Sequence, residues 1–87
     1  MAVSGLRFAR TVHLGWDANP AGDNVIAYNI YWGSATGTYN SPESPATVAA
    51  DITDVRLPVF ATGQTVYMAI TAENAQGESD FSSEVSR

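Results

Sequence analysis

Two well-separated segments of this chain alternate large apolar and smaller or polar side chains with a strict period of two. In residues 25–32 the large apolar side chains Ile26, Tyr28, Ile30 and Trp32 share one parity, opposite Ala27, Asn29 and Tyr31. In residues 66–73, Val66, Met68, Ile70 and Ala72 share one parity, opposite Tyr67, Ala69, Thr71 and Glu73. A pleated strand points successive side chains to opposite faces, so each segment reads as a long strand with one buried face. Glycine-bearing turns bound both: Gly33-Ser34-Ala35-Thr36-Gly37 follows the first, and Ala61-Thr62-Gly63-Gln64 precedes the second.

The rest of the chain supplies shorter strands and no helical period. Residues 11–16 place Val12, Leu14 and Trp16 on one face and Thr11, His13 and Gly15 on the other, before the turn-rich run of residues 17–24. Pro42 and Pro45 confine residues 39–53 to a sheet edge, because proline has no N–H to give a central ladder, with one short strand near Thr47-Val48-Ala49. Val55 and Leu57 mark another short strand, Phe60 a core anchor, and residues 81–85 the last strand. About seven short strands without intervening helices predict an all-β, antiparallel two-sheet sandwich.

Length and charge narrow the function. With 87 residues there is room for a single domain, residues 1–87, and one core. No cysteine is present, so neither a disulfide framework nor a thiolate metal site contributes. A net charge of -5, from nine acids against four bases, repels nucleic-acid backbones and anionic membrane surfaces. No apolar run reaches the ~20 residues of a membrane span, and residues 1–10 have no signal-peptide pattern. Nucleic acid and membrane insertion are therefore not expected.

In combination these residues resemble the fibronectin type III family in its bacterial and phage form. Trp16 matches the core tryptophan of that family's strand B, Tyr28 and Ile30 its strand C pair, and Leu57 with Phe60 its paired anchors. Gly77, Ser79 and Phe81-Ser82 match its closing segment, so the resemblance covers about residues 11–86. It implies an immunoglobulin-like sandwich. Two departures stand out. Val66, rather than Tyr67, falls where the family places its corner tyrosine, which removes roughly 1 kcal/mol of net hydrogen bonding and points Tyr67 outward. The opening strand around Gly5-Leu6-Arg7-Phe8 is also shorter than the family's proline-led one.

Residue chemistry disfavours an enzyme. His13 is the single histidine, on the outward parity with no implied partner, and Gly33-Ser34-Ala35-Thr36-Gly37 has neither the spacing nor the following helix of a nucleophile elbow. The same turn lacks the Gly-Lys-Ser/Thr ending of a phosphate loop. Asp17, Asn19, Gly22 and Asp23 resemble part of a calcium loop, and Glu78 and Asp80 lie at the same pole. However, Ala21 takes a ligand position and Tyr28 stands where the closing acid belongs, so neither metal nor cofactor is expected.

Aromatics carry the sharper expectation. If the two long strands are antiparallel neighbours, late positions on the first oppose early positions on the second, which brings Tyr31 near Tyr67 on the outer face. Trp32 and Tyr39 flank the turn at that end and extend the patch. Such a surface fits a protein partner or a sugar ring. The expected function is a noncatalytic structural or interaction module that decorates, spaces or adheres within a larger assembly. A carbohydrate-binding module is the alternative. The family resemblance implies a parent polypeptide outside cells or, if Met1 is the native start, a virion with phage capsid or tail partners. No Arg-Gly-Asp motif is present, so integrin-type adhesion is not implied.

Overall fold

The computed structural model describes residues 2–9, 13–39, 44–56 and 65–86. Its strands are β1 (Ser4–Ala9), β2 (His13–Asp17), β3 (Ala27–Gly33), β4 (Ala46–Ala49), β5 (Asp54–Arg56), β6 (Tyr67–Asn74), β7 (Gly77–Glu78) and β8 (Val85–Ser86), with one 3-10 turn at Ala21–Asp23. They form two antiparallel sheets. One has the order β1-β2-β5; the other has the order β4-β3-β6-β7, with β8 also paired to β6. The expected all-β sandwich is thus the observed fold. Leu57, Phe60 and Val12 lie outside the described residues.

The alternation becomes a shared core. Leu14 and Trp16 from β2 meet Tyr28, Ile30 and Trp32 from β3 and Val66, Met68, Ile70 and Ala72 from the β6 segment in one buried cluster. Val3, ahead of β1, joins them. The Trp16 and Tyr28 rings meet edge to face with centroids 5.5 Å apart, and the Tyr28 hydroxyl accepts the Asn19 backbone N–H at 3.0 Å. That bond ties the loop after β2 to the core. Asn24 turns this loop in the left-handed region (φ 52°), which asparagine tolerates better than most residues.

Three expectations need correction. Ile26 is 60% exposed because it precedes the paired strand, and Val25 packs against the core instead. Ala69, Thr71 and Asn29 sit on the outer parity of β6 and β3 yet are buried. Asn29 and Thr71 are bonded to the side chains around them: Thr47 Oγ1 donates to Asn29 Oδ1 (2.7 Å), Asn29 Nδ2 to Glu73 Oε1 (3.0 Å) and Thr71 Oγ1 to Glu78 Oε2 (2.7 Å). Finally, residues 81–85 are not one strand.

The closing segment is bulged. Glu73 pairs with Glu78 and Met68 with Val85, so five steps along β6 are matched by seven along the returning chain, an excess of two residues. Serines bridge the irregular part. The Ser79 and Ser82 amides donate to the carbonyls of Ala72 (2.7 Å) and Ile70 (2.9 Å). In return their hydroxyls accept the Ala72 (2.9 Å) and Ile70 (3.0 Å) amides, replacing carbonyls that a regular strand would offer. The backbone polar groups of buried β6 therefore stay satisfied.

Candidate functional site

The bulges decide which side chains reach the outer face of the larger sheet. With the register of either end continued without interruption, Phe81 would oppose Ile70 or Ala72, both of which are core residues. Between the bulges, the Ser82–Ile70 bond sets the offset that places Phe81 against Thr71, on the outer parity. Phe81 is accordingly 50% exposed.

Phe81 completes a three-ring cluster. Its centroid lies 5.1 Å from that of Tyr31 and 5.2 Å from that of Tyr39, with interplanar angles of 89° and 62°. Tyr31 and Tyr39 are 6.5 Å apart and inclined at 51°. Edge-to-face contacts of this kind suit the ring quadrupoles. Each tyrosine is held at its hydroxyl by a carboxylate: Tyr31 donates to Glu78 Oε2 and Tyr39 to Glu84 Oε1, both at 2.6 Å. Glu84 also accepts Thr36 Oγ1 (2.6 Å) and the Gly37 amide (2.9 Å), which fastens the β3 turn to the closing segment. That turn needs Gly33, because a Cβ there would collide with the Thr38 carbonyl oxygen.

Electrostatics follow from these pairs. Burial, then the hydrogen bond to the nearby carboxylate, pushes both phenols up to about 12: Tyr31 beside Glu78 and Tyr39 beside Glu84. The carboxyls move the other way. Hydrogen bonds from Tyr31 and Thr71 hold Glu78 below the usual carboxylate range, and those from Thr36, Tyr39 and Gly37 do the same for Glu84.

The sequence-predicted site residues are thus only partly assembled. Tyr31 and Tyr39 come together. Tyr67 pairs with Gly33 and shares the outer parity with Tyr31, which opposes Ala69, but the ring contacts of Tyr31 go to Tyr39 and Phe81. Trp32 does not extend the patch: it is 8% exposed and faces the core, as its own parity requires. Sequence reasoning missed Phe81, Glu78 and Glu84. The available signal was Ser79 and Ser82 at a spacing of three, which breaks the period of two around Phe81.

Other candidates disperse. His13 lies on β2 in the smaller sheet, whereas Ser34 is exposed in the turn after β3. Asp17 approaches Arg7 at 3.4 Å, Asn19 Nδ2 donates to Asp23 Oδ2 at 3.1 Å, and Asn74 Nδ2 donates to the Asp23 carbonyl at 2.9 Å. Among the described residues, no group of three or more histidine or acidic side chains is placed to hold a metal ion. No helix among them is long and apolar enough to cross a membrane.

No protein-family model and no curated protein matches the chain. Solved structures do. Pectate lyase PelI from Erwinia chrysanthemi, in complex with tetragalacturonic acid, superposes with a TM-score of 0.73 at 15% identity, over 99% of this chain. This chain spans only 28% of the length of that one. A Fn3-like protein from Clostridium thermocellum superposes with a TM-score of 0.67 at 24% identity, covering 97% of this chain and 86% of that one. Together with the sheet order and the shared core, these likenesses identify the fold: the chain is a fibronectin type III-like β-sandwich.

Proposed function

We propose that this chain is a noncatalytic interaction module of a larger polypeptide or assembly, and that it holds a protein partner through the face formed by Phe81, Tyr31 and Tyr39. The observation that carries the reading is Phe81, half exposed on a face whose neighbouring rings are fixed by hydrogen bonds to Glu78 and Glu84. A bulged strand that satisfies its backbone with serine hydroxyls, yet turns a phenylalanine outward, spends core area on the surface. Pre-ordered aromatic anchors of this kind lose little conformational entropy on association. The span of 28% of the pectate lyase chain agrees with a domain that occurs beside others.

The carbohydrate reading has less support. Ring planes inclined at 51°, 62° and 89° offer no flat stacking platform. A polyuronate such as the tetragalacturonic acid of the pectate lyase complex would also meet Glu78, Glu84 and a net charge of -5.

The test is F81S, compared with the parent by thermal melting, by assembly into its native polypeptide or particle, and on a glycan array. Because Phe81 is half buried against Tyr31 and Tyr39, F81S should cost about 1–3 kcal/mol and leave the domain folded. Assembly should be lost. Intact assembly would refute the protein-contact reading, and selective loss of glycan binding would move the face to the carbohydrate alternative.

A further inference from the structure

We infer that the partner seated on this face is cationic, presenting an arginine side chain to Phe81 between Glu78 and Glu84. The inference rests on the protein-contact reading above and adds the chemistry of the partner. Its first support is the placement of charge. All four bases of the chain are arginines, at positions 7, 10, 56 and 87. The described ones, Arg7 and Arg56, belong to β1 and β5 of the smaller sheet. Along β6 and the closing segment of the larger sheet stand Glu73, Glu78, Asp80 and Glu84, with no base among the described residues. The smaller sheet sets its arginines beside Asp17 and Asp54, whereas the sheet with the aromatic face carries its acids without a described base.

Local geometry gives the second support. Phe81 lies between two tyrosines, and each tyrosine is bonded to a carboxylate, so the exposed ring has an anionic group on either side. A carboxylate offers about four acceptor positions. Glu84, which is exposed, accepts Thr36, Gly37 and Tyr39, leaving one position for an incoming donor. A guanidinium matches both features, since it stacks on an aromatic face and can give one N–H to the remaining acceptor position of a carboxylate. An acidic partner would be repelled by these carboxylates, and an uncharged one would bring a hydrogen bond without the opposite charge.

The experiment is an amide NMR titration of the isotope-labelled chain. The probes are (Gly-Arg)4, (Gly-Ser)4 and (Gly-Glu)4 peptides and the neutral oligosaccharide cellohexaose. The arginine peptide alone is expected to shift the amides of Gly37, Phe81 and Glu84, with an affinity that falls as salt is added. F81S should weaken that affinity about tenfold or more. F81L keeps the apolar bulk but removes the ring, and should weaken it about two- to fivefold. E84Q should do so about threefold. Each variant must be folded at the titration temperature, as its amide spectrum reads directly.

Equal shifts from the serine or glutamate peptide would overturn the cationic partner and leave the protein-contact reading standing. Shifts from cellohexaose without any from the peptides would overturn both. Absence of shifts with the arginine peptide, or concentration-dependent pairing of two copies through this face, would overturn the cationic partner.

Discussion

Replacing Trp16 by phenylalanine and by alanine separates two contributions of one buried side chain. Trp16 is 2% exposed, and its indole N–H meets no acceptor among the described residues. Trp16→Ala removes the ring, the edge-to-face contact with Tyr28 and the core volume, which costs about 3–5 kcal/mol. A domain of 87 residues has about 4–13 kcal/mol in all, at ~0.05–0.15 per residue. The alanine variant should therefore melt at least about 12 °C lower, at ~4–8 °C per kcal/mol. Trp16→Phe keeps a ring against Tyr28 and loses about two carbons, roughly 1.6 kcal/mol at ~0.8 per CH2-sized group. It also removes the orphaned donor, whose burial costs about 1–3 kcal/mol. The two effects nearly cancel, leaving the phenylalanine variant within about 1.5 kcal/mol of the parent. Both variants can be followed by far-UV circular dichroism, or by fluorescence of Trp32, the remaining tryptophan. A phenylalanine variant as unstable as the alanine one would refute the orphaned donor, and an alanine variant melting with the parent would refute the core assignment.

Ser82→Ala should cost about 1–3 kcal/mol and speed hydrogen exchange at the Ile70 amide, because that buried N–H loses its hydroxyl acceptor; unchanged exchange would contradict the serine bridge. Gly33→Ala should cost about 1–3 kcal/mol as the added Cβ displaces the Thr38 backbone, and NMR should show the Tyr39 ring leaving Phe81. In ultraviolet phenolate titration, Tyr31 and Tyr39 should ionise near 12, and Glu78→Gln should bring Tyr31 partway back while leaving Tyr39 in place, since burial remains the larger cause. The tyrosine contribution to stability is fully present below the unfolded phenol value and is lost as pH rises through about 12. For Glu78 and Glu84, whose folded values are depressed, it is present above the unfolded carboxylate value and lost as pH falls through the folded one, which urea unfolding across acid pH will read.

Periodicity carried the fold because the side-chain period of a strand is a local property. Tyr28, Ile30, Trp32, Val66, Met68, Ile70 and Ala72 alternate in sequence, and all are buried where the two sheets meet. The same logic placed Tyr31 and Tyr67 on one face, and it already implied that Trp32 belonged to the core rather than to the patch. Proline in the segment before β4 marked an edge, and among the described residues β4 pairs with β3 alone. Local chemistry was enough for all of this, since it depends on neighbours two residues apart.

Legible along the chain are therefore the alternating faces, the kind of elements, and the composition that excludes a disulfide-bonded or basic domain. Tertiary structure alone decided which aromatics meet and what charge surrounds them. Phe81 alternates in sequence like a core residue, but the one-residue shift from the register at either end of the closing segment turns it outward, and that shift exists only relative to β6. The pairing of Tyr31 with Glu78 and of Tyr39 with Glu84 spans more than forty residues of chain, and the burial of Asn29 and Thr71 needs the side chains bonded to them. Register between strands distant in sequence is set by the energy of the whole core and its satisfied backbone, and no window along the chain contains that sum.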